Sequence, residues 1–152
     1  MAANKRTVKR DYTYALGRQR EAVARVRVYA HVKDAQVWGD IPVQKGQILV
    51  NGQPIEKYFP GPVYKATYMK PLVVTNTADT YAITVKVAGG GRSGQLDAMV
   101  QAIARALSAI DKTKFRPTLK SAGLLTRDAR VRERRKVGTG GKARRKKQSP
   151  KR

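Results

Sequence analysis

The sequence lacks cysteine and is poor in histidine and in acidic residues, and each shortage excludes a class of protein. Without cysteine there is no disulfide scaffold, no thiolate zinc site and no thiol nucleophile. A single histidine, His31, forms no cluster for a metal ion and has no second imidazole for a proton relay. The acids of the middle of the chain stand singly, with no pair spaced for general acid–base chemistry. The sequence therefore predicts no metal, no cofactor and no catalytic residue, and a protein that is not an enzyme.

Long apolar runs are also missing. No stretch is long enough to span a bilayer or to form the core of a signal peptide, so we expect no membrane partner. The first ten residues are too short for a usual organellar transit peptide. A length of 152 residues with 41% hydrophobic content suits one ordinary domain.

Positive charge is abundant and unevenly distributed. The chain carries 33 Lys and Arg against 10 Asp and Glu, a net charge of +23. Residues 127–152 hold 13 cations against Asp128 and Glu133, a net +11, with few large aliphatic residues to bury. Such a segment repels itself unless a counter-charge binds it, so the expected partner is a polyanion. We predict a basic arm (1–10), a globular RNA-binding domain (11–126) and an extended basic tail (127–152).

The hydrophobic periodicity predicts a two-layer α/β (α+β) domain, with one mixed sheet packed against two main helices. Alternating residues indicate strands at 22–30, 47–50 and 80–87, and apolar residues every three or four positions indicate a helix over 95–110. Shorter elements are expected as follows: a helical turn at 54–59, a helix at 63–70 ended by Pro71, a strand at 72–75, and a short helix after Pro117 closed by Gly123.

A glycine-rich loop, GGGRSG at 89–94, joins a predicted strand to the best predicted helix. It matches G-x-G-x-x-G, but no strand pattern follows the helix, so a dinucleotide fold is excluded. Gln95 and Leu96 stand where a phosphate loop of an NTPase needs Lys and Ser or Thr. The free amides of the helix start, with Arg92 and Ser93, suit an RNA phosphate.

The other interpretation of this loop is a tight turn that needs positive φ angles, and both interpretations stay open. We expect valine at Gly90 or Gly91 to damage both folding and binding, and Arg92→Ala to weaken binding only modestly. Aromatic side chains are candidates for stacking on bases, although packing within the protein is their commoner role: Tyr12, Tyr14, Tyr29, Tyr58 and Phe59.

Several longer blocks together resemble one family. They are GRQREAVARVRVY (17–29), ILVNGQPIEKYFP (48–60), VKVAGGGRSGQLDAM (85–99), AGLLTRDAR (122–130) and KARRKKQSPKR (142–152). In this order they resemble the ninth protein of the small ribosomal subunit, the S-nine family, in its bacterial type. The resemblance implies a left-handed crossover in the sheet, as in the second domain of ribosomal protein S-five.

The resemblance also implies the function. The chain would be a structural constituent of the small ribosomal subunit that binds small-subunit (16S-type) rRNA in the head, beside neighbouring head proteins. Its tail would reach the anticodon stem-loop of the peptidyl-site tRNA. The implied location is the cytoplasmic ribosome, with a bacterial or an organellar source left open.

The cationic strand face, the glycine loop and the tail together supply the expected RNA contacts. The expected rRNA-binding residues are Arg18, Arg20, Arg25, Arg27, Arg92, Ser93, Arg127, Arg130, Arg132, Arg134, Arg135, Lys136, Lys142, Arg144, Arg145, Lys146 and Lys147. The last two residues, Lys151 and Arg152, correspond to the family's terminal Lys-Arg pair and are the expected tRNA-binding residues.

Three features depart from the family's pattern. The connection over 31–46 is longer than usual and is expected to form a surface hairpin. Gln19-Arg20-Glu21 stands where an Arg-Lys pair is typical, and Pro150 precedes the terminal dipeptide. Two alternatives remain: an RNA-processing subunit such as the ribonuclease P protein, whose Arg-Asn-Arg helix motif is absent, and a nonspecific nucleic-acid-compacting protein.

Overall fold

A five-stranded sheet lies on a layer of helices in the computed structural model, which describes residues 11–30, 36–38, 41–132 and 134. The strands are β1 (Thr13–Gln19), β2 (Ala22–Tyr29), β3 (Gln36–Trp38), β4 (Ile41–Val43), β5 (Ile48–Val50), β6 (Gln53–Pro54) and β7 (Ala82–Ala88). The helices are α1 (Ile55–Tyr58), α2 (Pro62–Val74), α3 (Arg92–Ile110) and α4 (Lys112–Ser121). Within these ranges, no helix has both the length and the apolar character to cross a bilayer. The predicted two-layer α+β fold is confirmed.

The main sheet is mixed and has the strand order β1-β2-β7-β5-β6. Strands β1, β2 and β7 pair antiparallel, whereas β5 and β7 pair parallel and are connected through α1 and α2. Strands β3 and β4 form a separate antiparallel pair. Two paired strands of the expected hairpin are therefore present at 36–38 and 41–43, while 31–35 and 39–40 lie outside the described residues.

Helix α3 is the centre of the core and begins three residues before the predicted start. Its large apolar side chains recur along one face and are almost completely inaccessible to solvent: Leu96, Met99, Ile103 and Leu107. Small residues allow the backbones of α3 and β1 to approach closely. A Cβ at Gly17 would overlap the carbonyl oxygen of Ala98 and touch the Cβ of Ala102 at 3.0 Å.

Helix α3 also closes the outer edge of β1, a strand that the hydrophobic pattern did not reveal. The side-chain oxygen of Gln101 accepts a hydrogen bond from the Arg18 amide at 3.2 Å. Arg105 donates from Nη1 to the carbonyl oxygen of Leu16 at 2.7 Å. Because both backbone groups face away from β2, these bonds satisfy an otherwise open sheet edge. The strand was missed because its core-facing residues include Ala15 and Gly17, which carry little hydrophobic signal.

Two proline expectations are wrong. Helix α2 continues through Pro71 to Val74, so it does not end there and 72–75 is not a strand. A proline inside a helix removes one backbone hydrogen bond and costs about 3 kcal/mol. Burial of Tyr68, Pro71 and Leu72 offsets this cost and stabilises the continued helix. Thr75 then closes the helix, donating from its hydroxyl to the Pro71 carbonyl at 2.9 Å.

Helix α4 likewise includes Pro117 and starts before it, at Lys112. Phe115 and Leu119 are buried against the core and hold the helix in place. Asp111 caps the helix because its carboxylate accepts a hydrogen bond from the Lys114 amide at 3.0 Å. This bond, together with one from the Thr113 hydroxyl, lowers the pKa of Asp111. The helix ends shortly before Gly123, which takes the expected left-handed φ of 73°.

The close contact at Gly17 gives a stability prediction. Gly17→Ala places a methyl group against the backbone of α3, which cannot yield without moving the helix, so the free energy of unfolding should fall by about 1–3 kcal/mol. Urea denaturation of the full chain measures this. Gly91→Ala is the matched control, because its added methyl group meets no atom within 4 Å and should cost less than about 1 kcal/mol. Equal losses at the two positions would contradict the packing argument.

Candidate nucleic-acid interface

The sheet surface that faces away from the helices displays a group of cations, here called the open sheet face: Arg18, Arg25, Arg27 and Lys86. All four side chains are exposed, and they lie on one side because the strand registers place Arg25 opposite Lys86 and next to Leu16. Within the described part of the chain, none of them forms an ion pair with an acid. Lys86 was missed by sequence reasoning, since it is the single cation of β7 and only pairing with β2 brings it to Arg25.

The aromatic candidates divide by burial. Tyr29 is buried in a small second cluster beneath β4, where Tyr12 packs on it at a centroid distance of 5.7 Å. The Arg27 guanidinium lies 4.8 Å from the centre of the Tyr12 ring, a cation–π contact that holds the arginine at the sheet surface. Phe59 belongs to the main core, whereas Tyr14 is 46% exposed. Of Tyr12, Tyr14 and Tyr29, only Tyr14 presents a large exposed surface beside the cations.

The glycine loop is a tight turn packed on the β1–β2 connection. Gly89 and Gly90 have φ angles of 73° and 62°. A Cβ at Gly89 would lie 2.5 Å from the carbonyl oxygen of Glu21, and one at Gly90 would lie 3.0 Å from the Cβ of Ala22. Gly91 differs: its φ is −106° and no atom lies near its Cβ position. The packing reason for expecting damage from valine therefore holds at Gly90, and a Cβ at Gly91 meets no such contact.

The same loop leaves hydrogen-bond donors at the start of α3. No side chain caps the helix, and Arg92 and Ser93 are exposed. Gln95 braces the loop from behind, donating from Nε2 to the Gly89 carbonyl at 3.1 Å and accepting from the Tyr58 hydroxyl at 2.8 Å. A braced helix start with free amides is suited to an anion. The turn and the anion-binding interpretation are thus geometrically compatible.

Residues 124–130, which include the first four residues of the tail, are tied to the same end of the sheet. Gln19, at the end of β1, donates from Nε2 to the Asp128 carboxylate at 3.3 Å. Arg130 donates to both oxygens of that carboxylate, with its Nη2 at 2.7 Å from Oδ2, and its amide donates at 3.0 Å. Hydrogen bonds from Arg130, with a smaller contribution from Gln19, hold the pKa of Asp128 far below its usual range. We call this arrangement the Asp128 latch.

The latch closes over a cleft of about 210 Å³ between β1, α3 and residues 123–128. Asp97 lines the cleft, and its pKa is raised by burial and, less strongly, by the neighbouring Asp128 carboxylate. Two carboxylates make this cleft an unfavourable site for a phosphate. The anion-binding surface therefore lies on the cations around the cleft and not inside it.

The structure thus brings most of the described candidates to one end of the sheet. The β1–β2 turn carries Arg20, exposed at a φ of 51°, beside the glycine loop, and the latch places Arg130 next to Gln19. Arg127, Arg132 and Arg134 are exposed and lie within four residues of Arg130 along the chain. Of these, Arg130 is paired with Asp128. No group of three or more potential metal ligands occurs in the described ranges. The remaining candidates lie outside the described residues: Arg135, Lys136, Lys142, Arg144, Arg145, Lys146, Lys147, Lys151 and Arg152.

The latch was not predicted from sequence. Gln19 and Asp128 are 109 positions apart, and along the chain Asp128 is only an isolated acid within a basic tail. The one sequence signal for it is the position of this acid inside the block AGLLTRDAR.

Comparison with known proteins identifies the family. The family described as "Ribosomal protein S9/S16" matches residues 17–152. The chain is 43% identical over 132 residues to "Small ribosomal subunit protein uS9" of Maridesulfovibrio salexigens, covering 87% of this chain and 91% of that protein. It is 42% and 41% identical over 124 residues to the proteins of the same name from Leifsonia xyli subsp. xyli and Cutibacterium acnes.

These last two alignments cover 82% of this chain, which spans 66% and 64% of the lengths of those two relatives. The matched region includes the open sheet face, the glycine loop, the latch and the tail. On the extent of the family match and on the identity to these relatives, the chain belongs to the ribosomal protein S9/S16 family.

Proposed function

We propose that this chain is a structural, non-enzymatic constituent of the small ribosomal subunit that binds small-subunit rRNA in the head. Family membership supports the small-subunit role. The observation that carries the RNA-binding role is the group of exposed cations on the open sheet face and at the end of the sheet that holds the glycine loop. Among the described residues, only Arg130 of this group forms an ion pair with an acid. The proposed location is the cytoplasmic ribosome, beside neighbouring head proteins.

The open sheet face is proposed as one rRNA contact. Arg25 and Lys86 are directly opposite on neighbouring strands, where like charges reduce sheet stability. RNA phosphates between them convert this repulsion into attraction, and the released counterions add to affinity. The cation–π contact at Tyr12 restricts Arg27 before RNA arrives, which lowers the entropy lost on binding.

The tail is proposed to extend this contact from a fixed starting point. The Asp128 latch anchors residues 124–130 on β1 and α3, so the tail leaves the domain beside the glycine loop. The 18 residues after Arg134 can reach about 60 Å when extended. A tail of that length carries Lys151 and Arg152 far from the domain, where their proposed partners are phosphates of the peptidyl-site tRNA anticodon stem-loop, while the preceding cations bind rRNA.

Sedimentation of the native protein tests the proposed function. A small-subunit constituent should sediment with the small ribosomal subunit and stay bound there in moderate salt. Migration with a small RNA-enzyme particle would support the ribonuclease P alternative instead, and migration with bulk DNA would support a compacting protein. Either of those results would refute the proposal.

The open sheet face can be tested by charge removal in the full chain. The double variant Arg25→Gln and Arg27→Gln should bind a transcript covering the head of the small-subunit rRNA less tightly. The slope of log K against log salt should fall by about 0.7–0.9 for each phosphate that the variant no longer neutralises. The control is Lys57→Gln with Lys70→Gln, two exposed cations on α1 and α2. Equal effects of the two double variants would show that only total charge matters.

The terminal dipeptide should act on tRNA separately from assembly. Deleting Lys151 and Arg152 removes two of the 13 cations of residues 127–152, so small subunits should still assemble with normal content of this protein. Their affinity for peptidyl-site tRNA, measured by filter binding without messenger RNA, should fall. Unchanged tRNA affinity in normally assembled subunits would exclude this role, and failed assembly would show that the dipeptide contributes to rRNA binding.

A further inference from the structure

A second basic surface lies where α3 meets α4, at residues that the sequence analysis did not select. A recess of about 290 Å³ opens between the last turns of α3, the first turns of α4 and Leu125. We call it the α3–α4 recess, and its lining residues are Arg105, Ser108, Ala109, Lys112, Arg116 and Leu125. Its three charged side chains are all cationic and all exposed.

The positions of these cations oppose helix stability. Lys112 and Arg116 are four residues apart on α4, where like charges repel each other. Lys112 also lies in the first turn of α4, where the helix dipole favours an anion and no acid is present. Asp111 is the adjacent carboxylate, and it already accepts hydrogen bonds from the Lys114 amide and the Thr113 hydroxyl. Within the described chain, none of the three recess cations forms an ion pair.

Arg105 is held in place before any ligand binds. Its Nη1 donates to the Leu16 carbonyl at 2.7 Å, which fixes the planar guanidinium at the edge of the sheet. The other N–H groups of the guanidinium stay available, and their fork geometry matches two oxygens of a phosphate. A fixed arginine loses less side-chain entropy on binding than a free one.

Ser108 adds a neutral donor to the recess wall. Ser108 is only 6% exposed, and it lines the recess. A serine hydroxyl on the recess wall can donate a hydrogen bond to an anion that enters. Two arginines, one lysine and one hydroxyl around a shallow opening form the donor set expected for a phosphodiester.

We infer that the α3–α4 recess binds a backbone phosphate of RNA, forming a second contact on the helical layer in addition to the open sheet face. This inference rests on the proposed RNA-binding function. RNA held on both the sheet and the helical layer would clamp the domain between two RNA segments. Inorganic phosphate shares the recognised chemistry, so the experiment includes it as a separate probe.

The test uses the full chain and the double variant Lys112→Gln with Arg116→Gln. Both residues are exposed and lie outside the core, so the free energy of unfolding should stay close to that of the parent chain. Binding of the transcript covering the head of the small-subunit rRNA should weaken, and the salt slope should fall by about 0.7–0.9 for each phosphate left without its cation. Lys57→Gln with Lys70→Gln removes the same charge elsewhere and should change the slope less.

A second readout separates the two phosphate sources and the two roles of the cations. In NMR titrations of the parent chain, the rRNA transcript should shift the Arg105 side-chain signals at concentrations where inorganic phosphate does not. Arg105→Lys keeps the charge but loses the fork, and it should weaken RNA binding as well. Saturation by inorganic phosphate at the same low concentrations would overturn the assignment to RNA.

Two further outcomes would also decide the matter. If the double variant bound the transcript as tightly as the parent chain, with an unchanged salt slope, the recess cations would make no phosphate contact and the inference would fail. If the parent chain itself did not bind the transcript, the proposed function would fail first, before any variant was compared.

Discussion

The close packing of α3 against β1 and β2 is the contact on which the rest of the molecule depends. This close approach is possible because the interface residues are small on both sides. The strands contribute Gly17, Ala22 and Ala24, and α3 contributes Ala98 and Ala102. Backbone then approaches backbone, and larger side chains fill the space on either side. Because α3 also bonds to the free edge of β1 through Gln101 and Arg105, the helix both covers one sheet face and closes one sheet edge.

Because the helices cover one face of the sheet, the opposite face can carry charged side chains. The core-facing residues of β2 are buried and apolar, and its other face carries the exposed Arg25 and Arg27 between Val23 and the buried Tyr29, so the same strand builds the core and displays two cations. The turn between β1 and β2 is held against the glycine loop, and Gln19 holds the start of the tail. The core packing therefore decides where the tail leaves the domain and which cations lie beside it.

Hydrophobic and polar periodicity predicted the elements that carry strong local signals. Strand β2, strand β7 and helix α3 have regular alternation or a regular apolar face, and each was located to within a few residues. The prolines of α2 and α4 misled the prediction, since local preference at Pro71 and Pro117 is weaker than the burial of Leu72, Phe115 and Leu119. Strand β1 gave too little signal because small residues occupy its inner face.

The sequence by itself determined the broad character of this protein. The blocks around the glycine loop indicate one family, and the net charge with its concentration in the last 26 residues predicts a polyanionic partner. These properties are additive or local, so they can be read along the chain. The tertiary structure alone decided which distant residues meet: Lys86 opposite Arg25, Asp128 on Gln19, and Arg105 beside Lys112 and Arg116. Such pairs depend on strand register and helix docking, which follow from burial of the whole core. The spacing of these residues along the chain therefore does not reveal them.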